Sequence, residues 1–201
     1  MDKKAAMFGL DARIALAIFG ALSVISGAAL YSAIQNSKAI ALLTEMNEVG
    51  KAYESYILDT GQDLSIYTSI GIEVFSRQTS QLVSNSITGW NGPYLNYKPD
   101  TIYPKRLKHH TFGEIGINFS TNLPWGDAHA NTNWAYPAVR CTSSNTCFAW
   151  VEFNNIPGNL NNKIDQIIDG GDGSYSGSFR WYTFAGKVSY MLKYMPSAFP
   201  I

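Results

Sequence analysis

From Met7 to Ile34 the chain reads MFGLDARIALAIFGALSVISGAALYSAI, and no charged side chain occurs between Ile14 and Ile34. A bilayer core of about 30 Å needs roughly 20 apolar residues in helical form, and this run meets that length. One carboxylate, Asp11, stands just before it, and Lys3 and Lys4 lie upstream. The remainder is polar, Gly-rich and aromatic, so it must be built for water. A membrane-length helix joined to a water-facing chain is the constraint that every other segment has to satisfy.

Three kinds of segment fit such a run. A secretory signal peptide has an apolar core of about 7–15 residues followed by a small-residue cleavage site. Here the run is longer, and Ser32-Ala33-Ile34 continues into helix-like sequence. A plain signal anchor would span and stay. In the third kind the cut precedes the apolar run, which then remains in the mature protein. A lone carboxylate at the bilayer edge costs a few kcal/mol unless it is paired, so it is treated as functional by default. Asp11 therefore favours the third kind.

At this point the run resembles the N-terminus of type IV pilins and type II secretion pseudopilins, whose mature chains begin FTLIELMIVIAIIGIL. With Met7 as first mature residue, Ile14 falls on a family Ile, Ala17-Ile18 on its Ala-Ile and Gly20 on its Gly. Asp11 falls on the acidic residue five positions into the mature chain. The residue before the cut is Ala6 where the family usually has Gly, and the acid is Asp rather than Glu. A cut after Gly9 restores the Gly but breaks the Ala-Ile-x-Gly match, so the cut between Ala6 and Met7 is preferred. Arg13 is unusual at its place and can snorkel to the interface.

The resemblance implies a pilin-like α+β fold, with a long N-terminal helix, transmembrane then amphipathic, packed on a small antiparallel β-sheet. The expected organisation is a leader over 1–6, a transmembrane and assembly helix over 7–34, the amphipathic half of the same helix over 35–60, and a soluble extracytoplasmic domain over 61–201. Lys3 and Lys4 keep the leader cytoplasmic by the positive-inside rule. Beyond the membrane part, Leu43, Met46, Gly50, Tyr53 and Ile57 recur at spacings of three and four, which is one apolar stripe of a helix. The whole helix should span about 50 residues, roughly 75 Å, and end at Asp59-Thr60-Gly61. Gly20, Gly27 and Gly50 are isolated glycines that a long helix tolerates at about 1 kcal/mol each.

About 140 residues remain for the soluble domain. Net charge is zero and only 15% of residues are charged, so no nucleic-acid partner is expected. Lys105, Arg106, Lys108, His109 and His110 read as a solvated loop. Residues from Leu64 to Ser86 allow a short helix or a loop, with Ile66, Ile70, Val74, Leu82 and Val83 as its apolar positions. ITGWNGPYL, Ile87–Leu95, resembles a segment of major pseudopilins and of some minor pilins that lies between helix and sheet; Pro93 and Gly92 suit a tight turn, and Trp90 and Tyr94 offer apolar faces. Thr111–Phe119 alternates loosely as a strand. Trp134–Arg140 and Phe148–Phe153 read as two strands joined by the loop between Cys141 and Cys147. Two cysteines in a domain placed outside the cytoplasm favour a disulfide, with two free thiols as the alternative.

Asn155–Phe179, NIPGNLNNKIDQIIDGGDGSYSGSF, resembles the pilin-type segment with a short helix followed by a Gly-containing loop. Ile156, Pro157, Leu160, Ile164, Asp165, Ile168, Asp169, Gly170 and Gly177 occupy the matching places. Pro157 suits a first helical turn and Gly170 a helix end. Arg180–Leu192 reads as strand, turn at 184–187, strand, with MPSAFPI as a short surface tail.

Asp11 is the leading site. With Met7 as a free N-terminus, a neighbour's Asp11 can neutralise the α-amine and set the stagger of a helical homo-polymer; the resemblance implies this pairing, N-methylation, a prepilin peptidase and an inner-membrane assembly platform. The precursor is then expected as a single-pass inner-membrane protein, with filaments in the periplasm or on the cell surface. Asp169, Asp172, Ser174 and Ser176 form an oxygen-rich loop that can ligate Ca²⁺, without the far bidentate Glu of an EF-hand; an ordinary Asp/Gly turn is the alternative. No G-x-S-x-G, H-E-x-x-H or P-loop occurs, so no enzyme is expected. Asp127 and His129 have no third ligand nearby in sequence, His109 and His110 should point apart, and Glu114 and Glu152 look like scattered carboxylates. A competing function is a membrane-anchored binding module that does not polymerise, for example a glycan-binding or adhesive one using Trp90, Trp125, Trp134 and Trp181.

Overall fold

The computed structural model describes residues 3–67, 76–124, 141, 145–156, 160–184 and 186–197, with backbone alone for 3–8 and 184. Helix α1 runs from Lys3 to Thr60. The chain divides into two compact units, Met1–Ala39 and Ile40–Ile201, and the boundary falls inside this helix.

In the first unit the apolar stretch is helical, and every residue from Gly9 to Ile34 is exposed. Phe19, Val24 and Leu16 are among its most exposed large apolar side chains. A Cβ added at Gly9, Gly20 or Gly27 would meet nothing within 4 Å. The Ser23 hydroxyl donates to the Phe19 carbonyl at 2.8 Å. A helix that satisfies all its own polar groups is one of the few backbones that tolerates lipid. Length and composition make this helix compatible with a single-pass membrane anchor.

In the second unit, residues 40–60 of α1 supply a wall of the core. Leu42, Leu43, Met46, Val49, Ala52, Tyr53 and Tyr56 are all buried. The expected stripe is thus found, but broadened, and Ile57 is only half-buried while Tyr56 takes the inner place. Helical rotation accounts for this: 3.6 residues per turn carry a strict three-and-four row around the axis. The helix ends where expected. Gly61 adopts φ +64, and its N–H donates to the Ile57 carbonyl at 2.8 Å.

The sheet has six antiparallel strands in the order β1-β2-β3-β4-β6-β5. They are β1 Lys98–Pro99, β2 Leu107–His109, β3 Gly113–Thr121, β4 Cys147–Ile156, β5 Phe179–Phe184 and β6 Lys187–Pro196; a second helix, α2, spans Asn161–Ile168. Side chains alternate between sheet faces. Ile115, Ile117 and Phe119 share the face toward α1, where the Phe119 ring meets Tyr53 edge-on at 6.3 Å. The molecule is therefore α+β, a long helix laid on an antiparallel sheet.

Gly50 is not a merely tolerated glycine. An added Cβ would lie 2.2 Å from the Tyr194 ring of β6, so the missing side chain is the notch into which that ring packs. The GWNGPYL loop follows the helix and grips its end. Gly89 has φ +87, and a Cβ there would meet the Asp59 carbonyl oxygen at 2.4 Å. Tyr94 donates from its hydroxyl to Asp59 at 2.9 Å, and Trp90 Nε1 donates to the Gln81 carbonyl at 3.0 Å.

The loop reading of Leu64–Ser86 agrees with its described residues, which contain a 3₁₀ turn at Thr79–Leu82 and an isolated bridge between Ile66 and Arg77; Ile70 and Val74 lie outside the described residues. Trp134–Arg140 lies outside the described residues; Phe148–Phe153 belongs to β4, which pairs with β3 on one edge and with β6 on the other. Other expectations are corrected. The final strand runs on to Pro196, further than the surface tail expected from Met195, because Ala149 and Phe148 offer it partners; 198–201 lie outside the described residues.

The basic cluster is not a solvated loop. Leu107–His109 is a strand whose inner residues are buried. Arg106 binds Glu152 at 2.9 Å, Lys108 reaches Asp100 at 3.5 Å, and Lys105 donates to the Tyr67 carbonyl at 2.6 Å. His109 and His110 do not point apart; their rings stack at 4.3 Å. The His109 Nδ1 accepts both the Thr111 and Phe112 N–H groups at 2.9 Å, and that turn folds His110 back over it.

Candidate functional site

The loop between α2 and β5 is where chemistry-bearing side chains converge. Helix α2 is docked by its apolar residues: Leu160 and Ile164 are buried, and Leu160 N–H donates to the Tyr190 hydroxyl at 3.1 Å. Asp165 and Asp169 are four apart, so one helical face carries both. Four glycines then hold the chain in left-handed conformations, Gly170, Gly171, Gly173 and Gly177, and turn Asp172 back toward them. Carboxylate oxygens of Asp165, Asp169 and Asp172 all lie within 4.8 Å of one another.

Each acid has a distinct setting. Asp169 accepts N–H groups from Ser178 at 2.9 Å and Phe179 at 2.7 Å. Asp165 is 4% exposed; its Oδ2 accepts Gly173 N–H at 3.1 Å, while its buried Oδ1 has no hydrogen-bond partner. Burial, joined by the charges of Asp172 and Asp169, pushes the Asp165 carboxyl above the usual range against the pull of Gly173 N–H. Asp172 is exposed, so the group grades from core to solvent and has an open side. A Cβ on Gly177 would lie 2.5 Å from Asp169 Oδ2 and 2.8 Å from Asp172 Oδ2, so these two acids can converge only across a glycine.

Arg180 lies close behind. It is 1% exposed and sits 4.7 Å over the Trp150 ring. Burial lowers its pKa to about 10, with Asp172 and Asp169 opposing. Its guanidinium donates to the carbonyls of Leu123 at 2.8 Å, Asn122 at 3.1 Å and Gly177 at 3.2 Å.

An orphaned buried carboxylate oxygen and a cradle that any side chain would fill both fit a hard cation with oxygen ligands, the class of Ca²⁺ and Mg²⁺. Of the four residues expected, Asp169 and Asp172 are in the group. The Ser176 hydroxyl donates to the Asp172 carbonyl at 3.2 Å, and the Ser174 carbonyl accepts Trp181 N–H at 3.4 Å. Asp165 is the acid that the composition of the loop alone does not reveal; its signal is the four-residue spacing to Asp169.

The other expected residues are scattered. Ala6 and Met7 belong to α1 by backbone, and their side chains lie outside the described residues. Asp11 and Arg13 are exposed on α1, and neither forms an ion pair among the described residues. Cys141 and Cys147 are joined in a disulfide with a Cα–Cα distance of 5.5 Å. Asp127, His129, Trp125, Trp134 and Pro157 lie outside the described residues. Trp90 packs edge-on against Tyr94 at 5.9 Å, and Trp181 lies 5.8 Å from Phe179.

Glu114 and Glu152 are not incidental. Both are buried, on the sheet face turned away from α1. Glu152 accepts from Arg106 at 2.9 Å and Asn118 at 2.8 Å on one oxygen, and from the Tyr182 hydroxyl at 3.1 Å on the other. The signal was a single acid inside the otherwise apolar run CFAWVEF. With all of these donors in place, Glu152 is a satisfied structural charge. Comparison of the chain with protein-family models, with curated proteins and with solved structures finds no match.

Proposed function

We propose that this chain is a filament subunit of the type IV pilin and type II secretion pseudopilin kind, polymerised through the first half of α1. One observation carries the reading: residues 9–34 are exposed along their whole length, yet they continue without a break into the helix that forms a core wall of the soluble unit. An apolar surface of that size must be covered by lipid or by sister helices. Contacts of one repeated subunit that do not close give an open helical polymer. The β1 edge of the sheet supports the helix as the polymerising element. Strand β1 is two residues long and contains Pro99, which blunts that edge against strand addition.

In this reading the precursor is a single-pass inner-membrane protein with its soluble unit outside the cytoplasm. A prepilin peptidase cuts it at Ala6–Met7, or after Gly9, and an assembly platform in the membrane adds it to the filament. Asp11 neutralises the N-terminal amine of the neighbouring subunit. The α2–β5 loop holds a divalent cation through Asp165, Asp169 and Asp172, which neutralises charge there and does no chemistry. The GWNGPYL loop favours the secretion machine over a surface pilus.

Asp11→Ala tests this. The variant should be made and cut at the normal level but give few filaments by shear fractionation; a normal filament yield would sink the assembly role. N-terminal sequencing of the wild-type protein should show residues 1–6 removed. If they are retained, the membrane-anchored binding module is the better account.

A further inference from the structure

Two outward patches of the second unit are alike in apolar character and opposite in charge. Among the described residues of that unit, Leu58 and Ile102 are the most exposed large apolar side chains, at 77% and 74%. Leu58 is exposed on α1 together with Glu54 and Asp59, and the four-residue step from Glu54 makes the two surface neighbours. Glu48 and Lys51 of the same helix neutralise each other at 2.8 Å. Glu54 accepts from the neutral Tyr194 hydroxyl at 3.2 Å and Asp59 from that of Tyr94 at 2.9 Å, and neither forms an ion pair among the described residues, so the negative charge around Leu58 is unbalanced. Ile102 and Tyr103 stand at the turn between β1 and β2. Buried Asp100 fixes that turn, its Oδ1 accepting the N–H groups of Ile102 at 2.8 Å and Tyr103 at 2.9 Å, while Lys108 reaches its Oδ2 at 3.5 Å. Lys98 and Lys108 are direct cross-strand partners, and both are exposed. Like charges directly opposite are unfavourable, and Lys98 forms no ion pair among the described residues, so the place beside it suits a carboxylate from outside.

We propose that these patches are the two halves of one contact between copies of this chain: Leu58 of one subunit packs on Ile102 and Tyr103 of the next, with Glu54 and Asp59 facing Lys98 and Lys108. The proposal rests on the filament reading above and adds where the soluble units touch. The patches lie on different elements, so the contact is heterologous, and heterologous contacts that do not close propagate as an open polymer. An isologous contact would set each patch against its own copy, carboxylates on carboxylates or lysines on lysines. Charge therefore selects head-to-tail pairing. Asp100 holds the turn in shape beforehand, so little further ordering is needed when Ile102 and Tyr103 are covered. Pro99 has no N–H to offer at this edge, which leaves side chains rather than main chain to make the contact.

Full-length chains carrying Leu58→Cys or Ile102→Cys are co-expressed, and sheared filaments are treated with a short bis-maleimide, which joins free thiols and leaves the native disulfide alone. The mixture should give a dimer that neither variant gives by itself. A chain with both cysteines should give a ladder beyond the dimer, because a heterologous contact repeats. Glu54→Lys in the Leu58→Cys chain, or Lys98→Glu in the Ile102→Cys chain, should cut the mixed dimer by about threefold or more, and the two reversals together should restore it. Leu58 is exposed, so Leu58→Asp spares the fold, and it should lower filament yield; a wild-type yield overturns the contact. Dimers from one cysteine variant alone, or adducts of Ile102→Cys with a chain of another mass, overturn it as well. Filaments of normal yield without the mixed dimer overturn the contact and leave the filament reading standing, whereas wild type without filaments overturns both. A mixed dimer unmoved by either charge reversal removes the charge pairing and overturns the proposal as stated.

Discussion

Helix α1 contains two experiments on one secondary structure. Residues 9–34 and residues 40–60 are equally helical, but the first stretch exposes Ile, Leu and Phe on all sides while the second hides one face and exposes charges on the other. Helix formation itself is indifferent to this difference; what changes is the solvent each stretch is built for. A helix apolar all round belongs in lipid or among other helices, and an amphipathic one belongs on a core. Side chains in the second stretch should therefore carry the stability of the soluble unit, and those in the first should carry none of it. Leu42 and Met46 are fully buried, so Leu42→Ala or Met46→Ala should lower unfolding stability by about 2–5 kcal/mol. Leu22 is 58% exposed, and Leu22→Ala should stay within about 0.5 kcal/mol. Urea unfolding of the full chain in detergent, followed by tryptophan fluorescence, reads both. A Leu22→Ala loss matching that of Leu42→Ala would break the division.

The glycines sharpen the same contrast on a smaller scale. Gly50 and Gly20 occupy the same helix, and sequence alone treats them alike. At Gly50 a Cβ runs into the Tyr194 ring, whereas at Gly20 it meets nothing. Gly50→Ala should destabilise the soluble unit by about 1–3 kcal/mol, as overpacking does. Gly20→Ala should leave that unit untouched and favour its own stretch of helix by about 1 kcal/mol. If Gly50→Ala is neutral in the same unfolding measurement, the notch is not a tight one.

The disulfide gives an intermediate test outside the helix. Cys141 and Cys147 are six apart in sequence, and the loop-entropy estimate for so short a ring is about 2 kcal/mol. Reduction, or a double serine variant, should lower stability by that amount. A loss of the whole fold on reduction would mean that the bridge does more than close a short loop.

Legibility followed the range of the interactions. The helix, its stop at Gly61 and the β5–β6 hairpin are local features, set by apolar period, by a left-handed glycine and by a short turn, and they can be read along the chain. The partner of β4 cannot. CFAWVEFNNI is buried on both faces, so it has no alternation to fix its neighbours, and its true partners, β3 and β6, lie far away in sequence. The same burial hid the role of Glu152, whose donors come from the β1–β2 connection, β3 and β5. At the candidate site the Gly-rich loop pointed to Asp169 and Asp172. Asp165 belongs to the preceding helix, and its role appears only once the loop folds back on it.

The smallest expected effect concerns pH and again belongs to the second half of α1. His109 is 2% exposed. Its Nδ1 accepts two backbone N–H groups, and Nε2 lies 3.8 Å from Glu45 of the helix. Glu45 is also held by the Tyr97 hydroxyl, and His110 stacks on the other side. Burial lowers the His109 pKa, with Glu45 opposing and His110 adding to the fall. A proton on Nδ1 would displace both amides of the turn, so the folded state keeps the ring neutral. In the unfolded chain the ring titrates at about 6.5. Between the folded pKa and that value the unfolded state binds more protons, so stability rises with pH there. The contribution is complete above about 6.5 and is lost as pH falls through the folded value. The urea midpoint should drop between about pH 7 and pH 5, by less than in either core substitution. In His109→Gln, which keeps an acceptor but no titrating group, that part of the slope should disappear. An unchanged slope in the variant would assign the pH dependence to other groups and leave His109 as a neutral cap alone.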